Sequence, residues 1–146
     1  MRRPDALASS TSVSNVSCVT DDEFLAAFFG GRLAAAEFRH RDHLRLAWLT
    51  VRRCGLDGGG DRVVEGIKRF AAAQGVPDRY HETITRFWLR LVDHAVGVRP
   101  EIDDFERFLE AFPLLLHGSL PRRHWSEGPL DHGRRAWREP DLAPLP

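Results

Sequence analysis

Between residues 20 and 116 the apolar positions recur at intervals of three and four, the spacing that lays one stripe along a helix. No stretch alternates as a half-buried strand does. Thr20-Asp-Asp-Glu23 has the form of a capping box ahead of Phe24, Leu25, Phe28 and Phe29, which predicts a first helix from about Asp21. Gly30-Gly31 ends or kinks it, with a resumption over Leu33 to Glu37. A second helix is expected from about Asp42 to Arg53, with Leu44, Ala47, Trp48 and Val51 inward and Gly55 as its stop. Leu56, Asp57 and the run Gly58-Gly59-Gly60 read as a loop, without the spacing or preceding strand of a phosphate-binding loop. A third helix opens at Asp61, carries Val63, Ile67, Phe70 and Ala71 on one stripe, and closes at Gly75 and Pro77. Asp78 reads as the N-cap of a fourth, roughly Arg79 to Val96, whose stripe is Tyr80, Ile84, Phe87, Trp88, Leu91 and Ala95. After Pro100 a fifth turns Ile102, Phe105, Phe108, Leu109 and Phe112 inward until Pro113, and Leu114 to Leu116 continue as an apolar connector. One more short helix fits around Asp131 to Arg138. The expected fold is all-α, a compact up-and-down bundle of four to five helices with an irregular C-terminal tail.

Length and composition add boundaries. The 146 residues fit one domain, with no internal repeat and no second zone of composition. Residues 1–19, rich in Ser, Thr and Asn, read as a disordered leader, and 20–146 as a single helical domain whose tail, 139–146, is extended. No apolar run approaches the ~18 residues that cross a bilayer, and the N-terminus lacks the apolar core of a secretory signal. The expected address is therefore cytoplasmic, with no membrane partner. Cys18 and Cys54 form no C-x-x-C pair and read as reduced thiols. A formal net charge of zero argues against nucleic acid as a partner. Of 21 basic residues only Lys68 is lysine, but the arginines are scattered through every segment, which favours compositional bias over a dedicated anion site.

Candidate chemistry concentrates in two stretches, Phe38 to Trp48 and Tyr80 to Trp88. His40 and His43 stand three apart at the mouth of the second helix, and His81 borders the buried stripe of the fourth beside Glu82. Short connections make successive helices antiparallel, so the second and fourth begin at the same end of the bundle. The first and fifth finish there, bringing Glu37, His117, Ser119 and His124. Five of the seven histidines would then converge on one rim. Partial burial and the positive end of a helix dipole both favour a neutral imidazole, which can act as a general base or ligate a metal. His40, His43, His81 and Glu82 are thus the candidate catalytic group, and His40 and His43, with His81 or Glu82 as a third, are the candidate ligands of a divalent metal. Arg45 and Arg86 would hold an anionic group of the substrate, and Trp48, Thr85 and Trp88 would line its pocket. His81-Glu82-Thr-Ile-Thr85 departs from the zinc-protease pattern H-E-x-x-H at Thr85, and Asp42-His43 reverses the His-Asp doublet of metal-dependent phosphohydrolases. Neither reaction is claimed.

The segments F-x-H-x-D-H-L-x-x-A-W (Phe38 to Trp48) and Y-H-E-T-I-T-x-F-W (Tyr80 to Trp88) resemble those of small bacterial proteins usually described as hypothetical. The ending from Ala136 to Pro146 resembles theirs as well. The resemblance covers most of the chain after residue 20 and carries no activity with it. The functional expectation rests on the residues: a small bacterial enzyme acting on a small organic molecule through a His/Glu acid-base or metal-assisted pocket. The alternative is a non-catalytic ligand- or metal-binding accessory or sensor protein. A third reading makes Leu142 to Pro146 a docking segment for a partner or a second copy, which leaves room for a homodimer.

Overall fold

The computed structural model describes residues 19–146, so the expected leader lies, but for Val19, outside the described residues. Among the described residues there are five α-helices and no strand. They are α1 (Asp21–Phe29), α2 (His40–Ala73), α3 (Glu82–Val98), α4 (Phe105–Ala111) and α5 (Glu127–His132). Tight 3-10 turns join them at Ala35–Glu37, Pro77–Arg79, Pro113–Leu116 and Leu120–Arg123. No helix among these residues is long and apolar enough to cross a membrane.

The start of α1 follows from its capping box. The Glu23 amide donates to Thr20 Oγ1 at 3.1 Å, and the Thr20 amide donates to Glu23 Oε2 at 3.2 Å. Phe24 and Phe28 are the buried face. Arg45 then binds α1 to α2, with its guanidinium 2.7 Å from Asp21 Oδ1 and lying over the Phe24 ring.

The second and third expected helices are the two arms of α2, and the hinge between them is one residue, Gly55, at φ 73 and ψ 167. That φ is left-handed territory, which glycine enters without a Cβ clash. The arms fold back on each other as a helical hairpin: Phe38 meets Phe70, ring centroids 4.8 Å apart, and Thr50 meets Gly59. The loop expected over residues 56–60 is therefore helix. Three consecutive glycines disfavour helix by about 1 kcal/mol each, but here Gly59 faces the other arm. A Cβ on Gly59 would lie 2.4 Å from Thr50 Cγ2 and 3.2 Å from its carbonyl oxygen. The missing side chain lets the arms close, and that packing offsets the propensity.

Helix α3 begins at Glu82, three residues later than expected, because Pro77–Arg79 form a 3-10 turn and His81 takes the N-cap position assigned to Asp78. It lies antiparallel to the second arm, with Arg86 3.1 Å from Asp61 and Lys68 over the Tyr80 ring. The first arm and α3 therefore start at one end of the bundle. Helix α4 covers the other side of the first arm, where Phe105 and Phe108 flank Trp48 at 5.5 and 5.8 Å between centroids. Leu44, Leu46, Phe87, Val92 and Phe108 are fully buried, each contributing roughly 1.5–3 kcal/mol of transfer free energy.

The short C-terminal helix forms at Glu127–His132, ahead of the expected 131–138. Beyond it the tail is irregular but anchored on its own chain. The Leu142 amide donates to the His124 carbonyl at 2.9 Å, the Ser126 amide to Asp141 Oδ1 at 2.9 Å, and Trp125 Nε1 to the Arg138 carbonyl at 3.0 Å.

Candidate functional site

A cavity of about 530 Å³ opens at the end of the bundle where the first arm of α2 and α3 begin. Its apolar lining is Ala47, Val63, Ile67, Ile84, Trp88 and Leu89. His40, His43, Tyr80, His81 and Thr85 are its polar lining, with Arg79, Gly118 and Arg134 completing it.

His40 and His43 sit in the first turn of α2, one helical step of three apart. His40 Nε2–H donates to the Leu115 carbonyl at 2.8 Å, and its ring stands edge-on to Trp88. His43 Nδ1–H donates to the Arg39 carbonyl at 2.8 Å, and its ring stacks on Phe38 with centroids 3.9 Å apart. A carbonyl only accepts, so each bond fixes which nitrogen carries the proton. His40 Nδ1 and His43 Nε2 are then the lone-pair nitrogens, and neither makes a hydrogen bond among the described residues. Burial holds the His43 imidazole below its ordinary pKa, against the Arg39 carbonyl and Asp42, and the neighbouring His40 adds to the lowering. His43 is therefore neutral near pH 7.

His81 lines the same cavity with neither nitrogen spare. Its Nδ1 accepts the Ile84 amide at 3.3 Å, and its Nε2–H donates to the Leu130 carbonyl at 2.8 Å. It is a helix cap first. Burial and the neighbouring Arg134 hold it neutral, against the Leu130 bond and Asp131.

Four of the expected site residues do not line the cavity. Glu82 accepts the Tyr80 hydroxyl at 2.6 Å on one carboxylate oxygen and the Arg86 guanidinium on the other. Burial alone would raise its pKa, but those two partners outweigh it and hold the carboxyl below the usual range. Burial and Glu82 together push the Tyr80 phenol well above its ordinary value. Arg86 is divided between Glu82 and Asp61. Arg45 is two residues beyond His43, about 200° around the helix, and is spent on Asp21 and the Val19 carbonyl. Trp48 is core, 2 % exposed, and its Nε1–H has no acceptor among the described residues. Thr85 and Trp88 are at the cavity.

The five-histidine rim reduces to three. His117 is exposed outside the cavity lining, and His124 Nδ1–H donates to the Ala143 carbonyl at 2.9 Å. Glu37 is spent on the Ala34 amide at 3.0 Å. The metal set is likewise not assembled: among the described residues no three His, Cys, Asp or Glu side chains are grouped to hold an ion. The bonds to His81 and Glu82 explain why, since they leave only two free donors in the expected four.

One residue missed at the cavity, Arg134, comes from the returning C-terminal segment. The Glu82 amide donates to the Arg134 carbonyl at 2.9 Å and the Thr83 amide to the Gly133 carbonyl at 3.0 Å. Thr83 Oγ1 donates to the Ala136 carbonyl and accepts the Arg138 amide, both at 3.1 Å. With His81 capping Ile84, the open amides of the α3 N-terminus are satisfied by the chain itself. A Cβ on Gly133 would lie 2.3 Å from Thr83 Oγ1, so glycine is what permits this approach and sets Arg134 beside the cavity. Arg134 is 53 residues from His81, beyond any periodicity. Tyr80 and Arg79 adjoin His81, and that adjacency was the available signal. No protein-family model, no curated protein and no solved structure matches the chain.

Proposed function

We propose that the protein is a small bacterial enzyme that moves protons on a small organic molecule bound in this cavity, with His40 and His43 as the acid-base pair. The supporting observation is the pair of imidazoles with fixed tautomers, each keeping a ring nitrogen without a partner among the described residues, in an otherwise mainly apolar cavity. A neutral histidine beside a desolvated substrate is suited to general-base work near pH 7. His81, its nitrogens both engaged, positions the start of α3, and Thr85 and Trp88 contact the substrate. The test is a screen of small organic acids, alcohols and esters for product formation, repeated on His40→Gln and His43→Gln. Each variant is expected to lose turnover by about 10²-fold or more while keeping its helical signal. Full turnover in both variants would remove the assignment.

A second reading, a ligand-binding accessory protein, draws on a specific feature. Neither imidazole is oriented by a carboxylate; both lean on backbone carbonyls. Ligands that bind saturably and raise the melting temperature without being converted would select this reading.

A further inference from the structure

Beside the cavity lies a second groove lined by Lys68, Pro77, Asp78, Arg79, Tyr80, Arg134 and Arg135. Arg79, Tyr80 and Arg134 line both, so the two concavities adjoin across a shared wall. The inner end is mainly apolar, with His43 and His81 held neutral by burial. The outer end sets four cations against the single carboxylate of Asp78. Arg79, Arg134 and Arg135 make no ion pair among the described residues, and Lys68 has only a 3.6 Å surface pair with Glu65. Elsewhere some arginines are spent on carboxylates, as Arg45 is on Asp21 and Arg86 on Glu82 and Asp61, and others, such as Arg52, Arg62 and Arg90, lie over aromatic rings. What is local here is the grouping: three arginines and a lysine surround one groove that holds a single carboxylate.

We infer that the substrate is a phosphate-bearing molecule with an apolar head, the head held in the inner cavity and the phosphate in the outer groove by Arg79, Arg134, Arg135 and Lys68. This rests on the proposed use of the cavity and names its substrate class. A carboxylate would offset one of the cations. A phosphomonoester carries about −1.5 to −2 charges at neutral pH, and arginine forks match its oxygens in bidentate pairs. The phosphate holds the molecule while the head is presented to His40 and His43.

The probes are phenyl phosphate, benzoate, benzyl alcohol and inorganic phosphate, followed by calorimetry and by tryptophan fluorescence, since Trp88 lines the inner cavity. Phenyl phosphate is expected to bind at least tenfold more tightly than either benzoate or inorganic phosphate, with affinity falling as salt is raised. Arg79→Gln/Arg134→Gln should abolish that preference and leave benzyl alcohol binding in place. Lys68→Gln/Arg135→Gln, changing two exposed side chains, should weaken phenyl phosphate by a smaller factor. Benzoate binding as well as phenyl phosphate, or a preference surviving in the Arg79/Arg134 variant, overturns the inference. Inorganic phosphate binding as tightly as phenyl phosphate also overturns it, because the apolar head would then contribute nothing. If benzyl alcohol binds without any preference for anions, this inference fails and the cavity reading stands. If no aromatic probe binds, both fail.

Discussion

His40 meets Trp88 edge to face, with ring centroids 4.6 Å apart, while its Nε2–H holds the Leu115 carbonyl. One imidazole thereby ties the start of α2 to the middle of α3 and to the Pro113–Leu116 turn. His40→Ala removes the ring contact and leaves a carbonyl without its donor. Urea unfolding should register a loss of about 1–3 kcal/mol. A change within error would mean that the tie contributes nothing to the fold.

His81 is a cap whose side chain a shorter polar residue can imitate. His81→Ala should cost about 1 kcal/mol, the usual worth of an N-cap, and His81→Asn should recover most of it. Thermal unfolding of the two variants side by side checks this. Equal losses in both would show that the 3.3 Å bond to Ile84 is not what the histidine supplies.

Two histidines held neutral by burial make stability depend on pH with a definite sign. The folded pKa values of His43 and His81 lie below the ordinary 6.5, so the unfolded chain binds protons more readily in that range. Their contribution is complete above about pH 6.5 and is lost as pH falls below it, toward the lower folded values. Each histidine adds a slope of at most about 1.4 kcal/mol per pH unit. Below about pH 4.5 Glu82 adds a second loss, because its folded pKa is also depressed. Denaturation midpoints from pH 8 to 4 should fall in these two stages, and His81→Asn should flatten the first. A midpoint that rises between pH 6.5 and 5 contradicts the assignment.

Gly133→Ala drives a methyl group into Thr83 Oγ1, in a segment whose carbonyls cap α3. Overpacking of this kind costs about 1–3 kcal/mol. Hydrogen exchange should localise the damage, with faster exchange at Glu82 and Thr83 than in the α2 hairpin. The variant should also weaken phenyl phosphate, since Arg134 is positioned by the same contact. Unchanged exchange at Glu82 and Thr83 would show that the segment is held by something else.

The sequence was most legible where a local rule decides the outcome. The Thr20 capping box, the Gly75 and Pro77 stop and the inward stripes of α2 to α4 all form as their spacing indicates. It misled where tertiary contact overrides local preference. Gly58 to Gly60 look like a loop until Thr50 closes on Gly59, and Asp78 is a better isolated cap than His81 until Leu130 fixes the imidazole. At the site, adjacency in sequence suggested more than geometry allows. Arg45 turns away from His43 around the helix, and Glu82 takes the partner one turn on, Arg86. Arg134 could not be read at all, because only the returning chain brings it to the cavity.

The central claim is that His40 and His43 are tautomer-fixed imidazoles, each with a lone-pair nitrogen open to a bound molecule. Long-range ¹H–¹⁵N NMR of the histidine rings tests it directly, with and without phenyl phosphate. The expected spectrum shows His40 protonated at Nε2 and His43 at Nδ1 at pH 7. His43 should titrate below 6.5, and the probe should shift the unprotonated nitrogen of each ring. The opposite tautomers, a His43 that titrates at or above 6.5, or two rings that ignore every aromatic probe would contradict the account.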